Sequence, residues 1–356
     1  MKKYRLVCIA LLLCLALSGC GSKAFMMPFS EEAGNAVYEP GTVISSETTS
    51  GSAVNASGSS VSLMAEDLCV IDGYHMSELA GNPEFNAKAV FVVNDEGNSP
   101  LYVKHCFKRL YPASLTKLMT ALVAYKYCDD LERTFTVTED CLKLPDPYAK
   151  KMGIQVGDTF TIHDLLRATL IPSYNDAAKA LAFAVAGSEE NFVKLMNEEA
   201  KNIGATRSNF TNCHGLHDKN HYTTLYDLYL MFHELMKNDD FVNTVGNGEL
   251  DINYNDTYGN TKTKQLISTD QFLTGGATLP EGITVVGGKT GTTDEAGACM
   301  LLYIRDSAGN GYYAGILGAS DHINLYAGFS TIFNSLPGSA IVDDNGSEST
   351  EAGQGQ

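Results

Sequence analysis

Three short stretches of this chain carry residue types that suit acyl transfer. Ser114 and Lys117 belong to an S-x-x-K stretch. Ser173 and Asn175 form S-x-N, and Lys289 begins K-T-G. A serine hydroxyl is a poor nucleophile until a base takes its proton. A lysine amine can act as that base only where burial or a nearby positive charge lowers its pKa. Each stretch alone is common, so the prediction of a serine acyl-transfer site depends on all three occurring in this order.

The first stretch lies at the predicted start of a helix over residues 112–127. Ser114 would occupy the first turn, where free N–H groups favour developing negative charge. Ser114 and Lys117 are three residues apart and therefore share one helix face. We predict Ser114 as the nucleophile and Lys117 as its general base, with Lys289 as a source of the charge that lowers the pKa of Lys117. Taken alone, this stretch favours an exposed lysine one turn from a capping serine.

The second stretch follows Pro172, which interrupts two helical patterns. Ser173 and Asn175 are therefore predicted on a loop that can point into a cleft. There Ser173 can relay a proton between Lys117 and the leaving nitrogen, and Asn175 can donate to a substrate amide carbonyl. A plain helix-capping loop is the alternative, since Ser-x-Asn suits that role as well.

The third stretch closes a strand predicted to begin at residue 283. Its glycines, including Gly291, allow a substrate backbone to approach the sheet edge closely. Lys289 and Thr290 can bind a terminal carboxylate. The backbone N–H of Thr292, together with that of Ser114, can form an oxyanion hole. A glycine-rich turn between strands is the alternative.

Strands and helices follow one another in a pattern typical of an α+β domain. Strands are predicted at residues 89–93, 101–105, 283–287, 299–305 and 312–319, and residues 114–238 are mostly helical by periodicity. Thr161 and Thr224 are predicted helix caps, and a last helix spans 323–335. These elements predict an antiparallel sheet of about five strands, built from both ends of the domain and flanked by helices. A helical lobe is inserted between the two ends.

Longer phrases around the three stretches resemble the serine D,D-peptidases, the penicillin-binding proteins and their β-lactamase relatives. The D-alanyl-D-alanine carboxypeptidase branch matches best. Its phrases recur as YPASLTKLMT at 111–120, DLL at 164–166, HGLHD at 214–218 and TDEAG at 293–297. The resemblance covers about residues 86–335 and implies a β-lactamase/D,D-peptidase-like fold. It also implies removal of the terminal D-alanine from peptidoglycan stem peptides through an acyl-enzyme on Ser114, covalent inhibition by β-lactam antibiotics, and no cofactor.

The chain departs from that branch at four places. Tyr174 stands where glycine is usual, which would narrow the cleft or change selectivity, and Cys213 replaces a common proline. Residues 268–273 follow the N-T-N-x-L-L phrase only loosely. Asp321 and His322 occupy the region where an arginine near the substrate carboxylate is frequent, so no arginine is assigned that role.

Other functions remain open at this stage. A class A β-lactamase would use a glutamate from an E-x-x-L-N phrase, and none occurs between the second and third stretches. The glutamates at 189, 190, 198 and 199 are predicted to form a solvated helix face. Endopeptidase or transpeptidase action could use the same residues as the carboxypeptidase. A non-catalytic lipoprotein that binds penicillin or muropeptides is the alternative from another class.

Three histidines, His214, His217 and His221, have spacing that suggests a zinc site. The stretch has no helical register to bring the rings together, and it lacks the H-E-x-x-H phrase. Loop histidines are more often hydrogen-bonding residues. We therefore predict no metal site.

The N-terminus is typical of a bacterial lipoprotein signal. Residues 1–20 contain a basic start, an apolar run over 6–17 and Leu-Ser-Gly directly before Cys20. This ending resembles a lipobox, which would make Cys20 the lipidated first residue, although an ordinary signal peptide is the alternative. The lipid would hold the protein at the outer face of the cytoplasmic membrane.

The remaining organisation follows from composition. Residues 21–65 read as a flexible Ser/Thr/Gly-rich tether, 66–336 as the catalytic domain and 337–356 as a disordered acidic tail. The formal net charge is −17 and no basic run follows the N-terminus, which argues against nucleic acid as a partner. Six cysteines remain beyond the leader, and an exported chain can pair them. Their spacing shows no disulfide framework, so free buried thiols are at least as strongly indicated.

Overall fold

A computed structural model describes residues 53–54, 60–61, 68–69, 71, 75–79, 81 and 83–336. The chain divides into two compact units, of which the first ends at Leu63 and the second begins at Met64. In the first unit, β1 (Ala53–Val54) pairs antiparallel with β2 (Ser60–Val61). The predicted signal segment, Cys20 and the acidic tail lie outside the described residues. Within the part that the structure describes, no helix is both long and apolar enough to cross a membrane.

The second unit contains ten strands and eight α-helices among its described residues. The strands are β3 (His75–Ser77), β4 (Ala89–Asn94), β5 (Ser99–Lys104), β6 (Thr134–Thr136), β7 (Thr159–Thr161), β8 (Glu249–Asn255), β9 (Thr261–Ile267), β10 (Thr284–Thr293), β11 (Gly297–Arg305) and β12 (Gly311–Ala319). The helices are α1 (Thr116–Tyr127), α2 (Ile162–Leu170), α3 (Asn175–Ala186), α4 (Glu189–Asn202), α5 (Leu225–Met236), α6 (Asp239–Val245), α7 (Gln271–Thr274) and α8 (His322–Ser335).

The main sheet is built from both ends of the domain, as the sequence predicts. Its six antiparallel strands have the order β10-β11-β12-β4-β5-β3, and β3 is an edge strand beyond the five that were predicted. Strand β11 is almost wholly buried because helices cover both faces of the sheet. Leu301 and Tyr303 belong to the same apolar cluster as residues of α5, whereas Met300 and Leu302 belong to the cluster of α8. The α+β fold class is confirmed, with one sheet between two helical layers.

The inserted lobe contains more strand than the sequence indicates. Helices α1 to α6 occupy most of it, and the two predicted caps are confirmed. Thr161 Oγ1 accepts from the N–H of Asp164 and Thr224 Oγ1 from that of Asp227, each at 3.0 Å. A second sheet with the order β6-β7-β8-β9 was not predicted. Its long hairpin of β8 and β9 lies beside the cleft described below, which Ile267 at the end of β9 helps to line.

The cysteine thiols are free and buried at all six positions that the structure describes. They are Cys69, Cys106, Cys128, Cys141, Cys213 and Cys299. Of the two alternatives that the sequence leaves open, the structure agrees with free, buried thiols.

Candidate active site

Ser114 lies in a 3₁₀ turn, Ala113–Leu115, directly before α1 rather than inside an α-helix. Ala113 has a φ of 47°, a left-handed conformation that costs a non-glycine residue about 1–2 kcal/mol. Gly215 makes the neighbouring loop compatible with this turn, because a Cβ there would lie 1.9 Å from the carbonyl oxygen of Ala113. The turn is further fixed by Thr116, whose hydroxyl donates to that same oxygen at 2.8 Å.

Lys117 is fully buried beneath Ser114 and has three hydrogen-bond partners. Its Nζ lies 3.0 Å from Ser114 Oγ, 2.8 Å from Asn175 Oδ1 and 2.7 Å from the carbonyl oxygen of His214. A protonated amine donates all three bonds. A neutral amine still donates to the amide and carbonyl oxygens, while its lone pair accepts the proton of the Ser114 hydroxyl. The geometry therefore suits a general base that is anchored from behind by two acceptors.

The pKa of Lys117 is lowered from 10.5 to about 7. Burial is the largest cause, and the positive charge of Lys150 adds to it. The sequence suggested Lys289 as that neighbouring charge, and the two amines do repel each other. The charges of Lys117 and Lys150 add to the burial that holds the pKa of Lys289 well below its usual value. Lys150 was missed because a lone lysine in a loop carries no local signal.

Ser173 and Asn175 lie on opposite sides of the start of α3. Ser173 is in the loop, as predicted, with a left-handed φ of 66°. Its hydroxyl is buried, lines the cleft and has no hydrogen-bond partner among the described residues. Asn175 is the first residue of α3 rather than a loop residue. Its Oδ1 accepts from Lys117, and its Nδ2 donates to the carbonyl oxygen of Lys150 at 3.1 Å.

Asp176, next to this stretch, is a buried residue whose role the sequence did not reveal. Its carboxylate accepts from the backbone N–H groups of Met152, Gly153 and Ile154 at 2.9, 2.8 and 3.3 Å. These bonds fasten the loop that carries Lys150 to the start of α3. The partners are more than twenty residues away along the chain, which is why no local pattern predicts them.

The K-T-G stretch lies within β10 and not at its close, because the strand continues to Thr293. Strand β10 is an edge of the main sheet, and Thr290, Gly291 and Thr292 line the cleft. A Cβ at Gly291 would lie 2.9 Å from the backbone nitrogen of Ser114. Glycine therefore lets this edge lie directly against the turn of Ser114, so that the N–H groups of Ser114 and Thr292 belong to neighbouring segments.

Lys289 is buried, and its Nζ donates to the carbonyl oxygen of Thr290 at 3.1 Å. The hydroxyls of Thr290 and Thr269 are 2.5 Å apart. Asp270 follows Thr269, and burial raises the pKa of its carboxyl to about 6 although the charge of Lys289 opposes that rise. Residues 268–273, which only loosely follow the N-T-N-x-L-L phrase, thus contact β10 through Thr269, and Thr269 lines the cleft together with Thr290.

A cleft of about 1,040 Å³ is lined by Ser114, Ser173, Asn175 and Thr290, whereas Lys117 and Lys289 are buried and do not line it. Tyr174 lines it where glycine is usual, and the ammonium of Lys150 lies 5.8 Å from the centre of the Tyr174 ring. His322 also lines it, with Nε2 at 3.3 Å from Thr292 Oγ1. The cleft therefore places the Ser114 hydroxyl beside an edge strand, and the buried amine of Lys117 contacts that hydroxyl at 3.0 Å. A hydroxyl, an amine and an edge strand are the set that acyl transfer requires.

The three histidines do not share a ligand position. His214 lies 3.4 Å from Glu189, and His217 packs edge-on against Tyr111. His221 Nε2 lies 2.7 Å from Thr116 Oγ1, and burial lowers its pKa to about 4. Among the described residues, no group of three His, Cys, Asp or Glu side chains could hold a metal ion.

The predicted solvated glutamate face was wrong in part. Glu190 and Glu198 are exposed, but Glu199 is buried and lies 2.6 Å from Lys126. Glu189 is half-buried and forms an ion pair with Lys179 at 3.0 Å. These glutamates hold α4 against its neighbours.

Comparison with known proteins gives a consistent family. The Peptidase S11 profile, described as D-alanyl-D-alanine carboxypeptidase, matches residues 76–310. D-alanyl-D-alanine carboxypeptidase DacF of Bacillus subtilis (strain 168) is 33% identical over 235 residues, which are 64% of this chain and 56% of that protein. DacC of Escherichia coli (strain K12) is 34% identical over 156 residues, 42% of this chain and 39% of that protein. The chain thus matches about half the length of the first relative and less of the second.

Solved structures show the same fold. The Streptomyces K15 DD-transpeptidase superposes with a TM-score of 0.64 at 24% identity, over 71% of this chain and 97% of that chain. A D-alanyl-D-alanine carboxypeptidase from Mycobacterium tuberculosis H37Rv superposes with a TM-score of 0.63 at 23% identity, over 73% and 95%. At these identities the likeness concerns the fold alone.

Proposed function

The chain belongs to the Peptidase S11 family of D-alanyl-D-alanine carboxypeptidases, and from this membership we propose that it removes the terminal D-alanine of peptidoglycan stem peptides. The observation that carries the proposal is the environment of Lys117. Its buried amine has a pKa of about 7 and lies 3.0 Å from the hydroxyl of Ser114. This arrangement supplies an activated serine at neutral pH.

Acylation proceeds by transfer of the Ser114 proton to the neutral amine of Lys117 while Oγ attacks the penultimate D-alanyl carbonyl. The carbonyl oxygen becomes an oxyanion, which the N–H groups of Ser114 and Thr292 stabilise. When the C–N bond breaks, the leaving amine of D-alanine takes a proton that passes from Lys117 through the hydroxyl of Ser173. Water then attacks the ester, and its proton returns to Ser114 by way of Lys117.

The edge of β10 is proposed to position the substrate. An extended peptide can add to this free edge as a further strand, and its backbone hydrogen bonds fix the reacting carbonyl. The terminal carboxylate would lie against Lys289 and Thr290, whereas Asn175, which retains one amide N–H beyond its bond to Lys150, would donate to a substrate carbonyl. β-Lactam antibiotics would acylate Ser114 and be released slowly, because no E-x-x-L-N phrase supplies a deacylating glutamate.

The nucleophile is tested by covalent labelling. Labelled penicillin is incubated with the protein, and the adduct is located by peptide mass. We expect label on the peptide that contains Ser114, no label in Ser114→Ala, and full label in Ser307→Ala, a control at an exposed turn. Label that survives Ser114→Ala would refute the assignment.

The reaction is tested with diacetyl-L-Lys-D-Ala-D-Ala, with and without an added amine acceptor. Release of D-alanine without the amine supports hydrolysis. A transfer product formed in preference to hydrolysis would indicate transpeptidation instead. Labelling without any release would favour the non-catalytic penicillin-binding alternative.

We further propose that a lipid on Cys20 anchors the protein to the outer face of the cytoplasmic membrane, with residues 21–65 as the tether. The support is the lipobox-like sequence before Cys20. Cells supplied with labelled palmitate should incorporate the label into the wild-type protein but not into Cys20→Ser, which should leave the membrane fraction. Equal labelling of both proteins would contradict the proposal.

A further inference from the structure

A basic pocket of about 400 Å³ lies at the surface beside the cleft. Lys88, Lys108, Arg109 and Lys219 line it, together with Tyr222 and Glu295. Such a concentration of positive charge is unusual in a chain with 25 basic and 42 acidic residues. The four cations come from three separate segments, so the sequence shows no basic run there.

The cations of the basic pocket are not neutralised by ion pairs within the described part of the chain. The guanidinium of Arg109 lies 4.8 Å from the centre of the Tyr222 ring, a cation–π contact that holds it in place without an anionic partner. Lys88 Nζ donates to the backbone carbonyl oxygen of Glu295 at 3.2 Å. The carboxylate of Glu295 lies 3.7 Å from His217 Nδ1, and both of these residues also line the cleft. The pocket therefore offers positive charge to an external anion.

The position of the basic pocket relative to the reacting groups follows from β10. In the proposed reaction, the terminal carboxylate of the donor peptide lies at Lys289 and Thr290 and the scissile carbonyl lies at Thr292. The peptide therefore lies antiparallel to β10, and from its carboxyl terminus back towards its amino terminus it follows the strand in the direction of increasing residue number. The part upstream of the scissile bond continues past Thr293 towards Glu295, which lines both the cleft and the pocket.

The distances are compatible with a short peptide. Three extended residues span at most about 10 Å, which is also the most that separates Thr292 from Glu295 along the chain. A carboxylate two or three residues upstream of the scissile bond would thus come within reach of the basic pocket.

We propose that the basic pocket binds a carboxylate of the donor peptide, two or three residues upstream of the scissile bond. This inference rests on the proposed function and deepens it, since it assigns a second anionic group to the substrate. Arg109 can form a paired hydrogen bond with a carboxylate, and the lysines act as point charges around it.

The test compares two synthetic pentapeptides that end in D-Ala-D-Ala. One carries a γ-linked D-glutamate two residues before the penultimate D-alanine, with a free α-carboxylate. The other is identical except that this carboxylate is a carboxamide. Exposed ion pairs contribute up to about fivefold each, so the wild-type protein should prefer the carboxylate peptide by about 5- to 20-fold in kcat/KM at low salt. The preference should shrink at high salt because exposed charges are screened.

The variant Lys108→Gln/Arg109→Gln should lose this preference and leave turnover of the carboxamide peptide unchanged. Arg109→Lys, which keeps the charge, should retain most of it. Lys201→Gln removes an exposed charge on α4 and is the matched control. An equal rate for both peptides in the wild type would overturn the proposal, as would an equal loss for both in the double variant.

Equilibrium binding of the same peptides to Ser114→Ala separates this inference from the proposed function. If the wild type releases no D-alanine, the proposed function fails. The basic pocket is still supported if Ser114→Ala binds the carboxylate peptide more tightly and loses that preference in the Lys108→Gln/Arg109→Gln background. Equal binding of both peptides would overturn it.

Discussion

The acylation rate of Ser114 should depend on pH through the amine of Lys117. Burial lowers the pKa of this amine from 10.5 to about 7. At pH 7 about half of the molecules then hold the neutral base, compared with about 1 in 3,000 at the ordinary lysine pKa. The neutral fraction falls to about 1 in 100 at pH 5. We therefore expect acylation to be about 50-fold slower at pH 5 than at pH 7 and to level off above pH 8.

A single substitution tests the electrostatic part of this argument. The ammonium of Lys150 adds to the lowering of the Lys117 pKa. Lys150→Gln removes that charge, so the pKa of Lys117 rises and the midpoint of the rate profile moves to higher pH. The shift should be a fraction of a pH unit, because solvent screens a charge at the mouth of a cleft. Lys151→Gln is the matched control, since its ammonium is exposed and donates to the carbonyl oxygen of Pro147.

The assay is timed covalent labelling by fluorescent penicillin under pseudo-first-order conditions, from pH 5 to pH 9 at constant ionic strength. Circular dichroism at each pH confirms that the protein stays folded. Lys117→Arg, whose guanidinium stays protonated, should lose at least about 100-fold in rate at every pH. A flat wild-type profile between pH 5 and pH 8 would refute the reasoning. Identical midpoints of the rate profiles of Lys150→Gln and Lys151→Gln would show that the charge of Lys150 does not lower the pKa of Lys117.

Three further substitutions have expected outcomes. Gly291→Ala places a methyl group about 3 Å from the backbone nitrogen of Ser114, so penicillin labelling should slow by more than about 100-fold. The same overpacking should lower the free energy of unfolding in urea by only ~1–3 kcal/mol. An unchanged labelling rate would contradict the close approach of β10 to the turn of Ser114. Asp176→Ala removes the acceptor for three N–H groups at 152–154 and should lower the free energy of unfolding by about 3 kcal/mol, whereas a loss below 1 kcal/mol would show that the loop is held otherwise. Because burial raises the folded-state pKa of Asp270 from 3.8 to about 6, its contribution to stability is present below pH 4 and lost as pH rises through 6. Asp270→Asn should therefore raise the free energy of unfolding above pH 6 by up to about 3 kcal/mol relative to wild type, and a difference independent of pH between 4 and 7 would argue against this.

The parts of the site that the sequence predicts are those encoded over a few residues. Ser114 and Lys117 are adjacent on one face because they are three residues apart, and the 3.0 Å contact between them follows from that spacing. The caps at Thr161 and Thr224 are similarly local. Five of the six strands of the main sheet were predicted because they are short, mostly apolar runs between turn signals.

The parts that the sequence did not predict depend on contacts between distant segments. The hairpin of β8 and β9 is an exception, because Leu250, Ile252 and Tyr254 alternate with polar residues along β8, a strand signal that the prediction did not use. Strand β9 is mostly exposed and begins with five polar residues, so its own signal is weaker. Lys150 affects the pKa of Lys117 because Asp176 holds the loop of residues 152–154 against α3 and Asn175 bonds to the carbonyl oxygen of Lys150 itself. Glu199 looks like a surface residue until its pairing with Lys126 is known.

Two strained residues explain why local patterns misplaced the ends of the elements around the nucleophile. Ala113 and Ser173 both have positive φ values, which residues with a side chain rarely adopt and which no helix or loop pattern predicts. The first turns the chain before α1, so that Ser114 lies on a 3₁₀ turn. The second ends the loop abruptly, so that Asn175 already begins α3 and directs its amide to Lys117. The amine of Lys117 also donates to the hydroxyl of Ser114 and to the carbonyl oxygen of His214, which precedes Gly215. Lys117 thus contacts both strained segments, so the position of its amine and the backbone conformation at Ser114 depend in part on the same bonds.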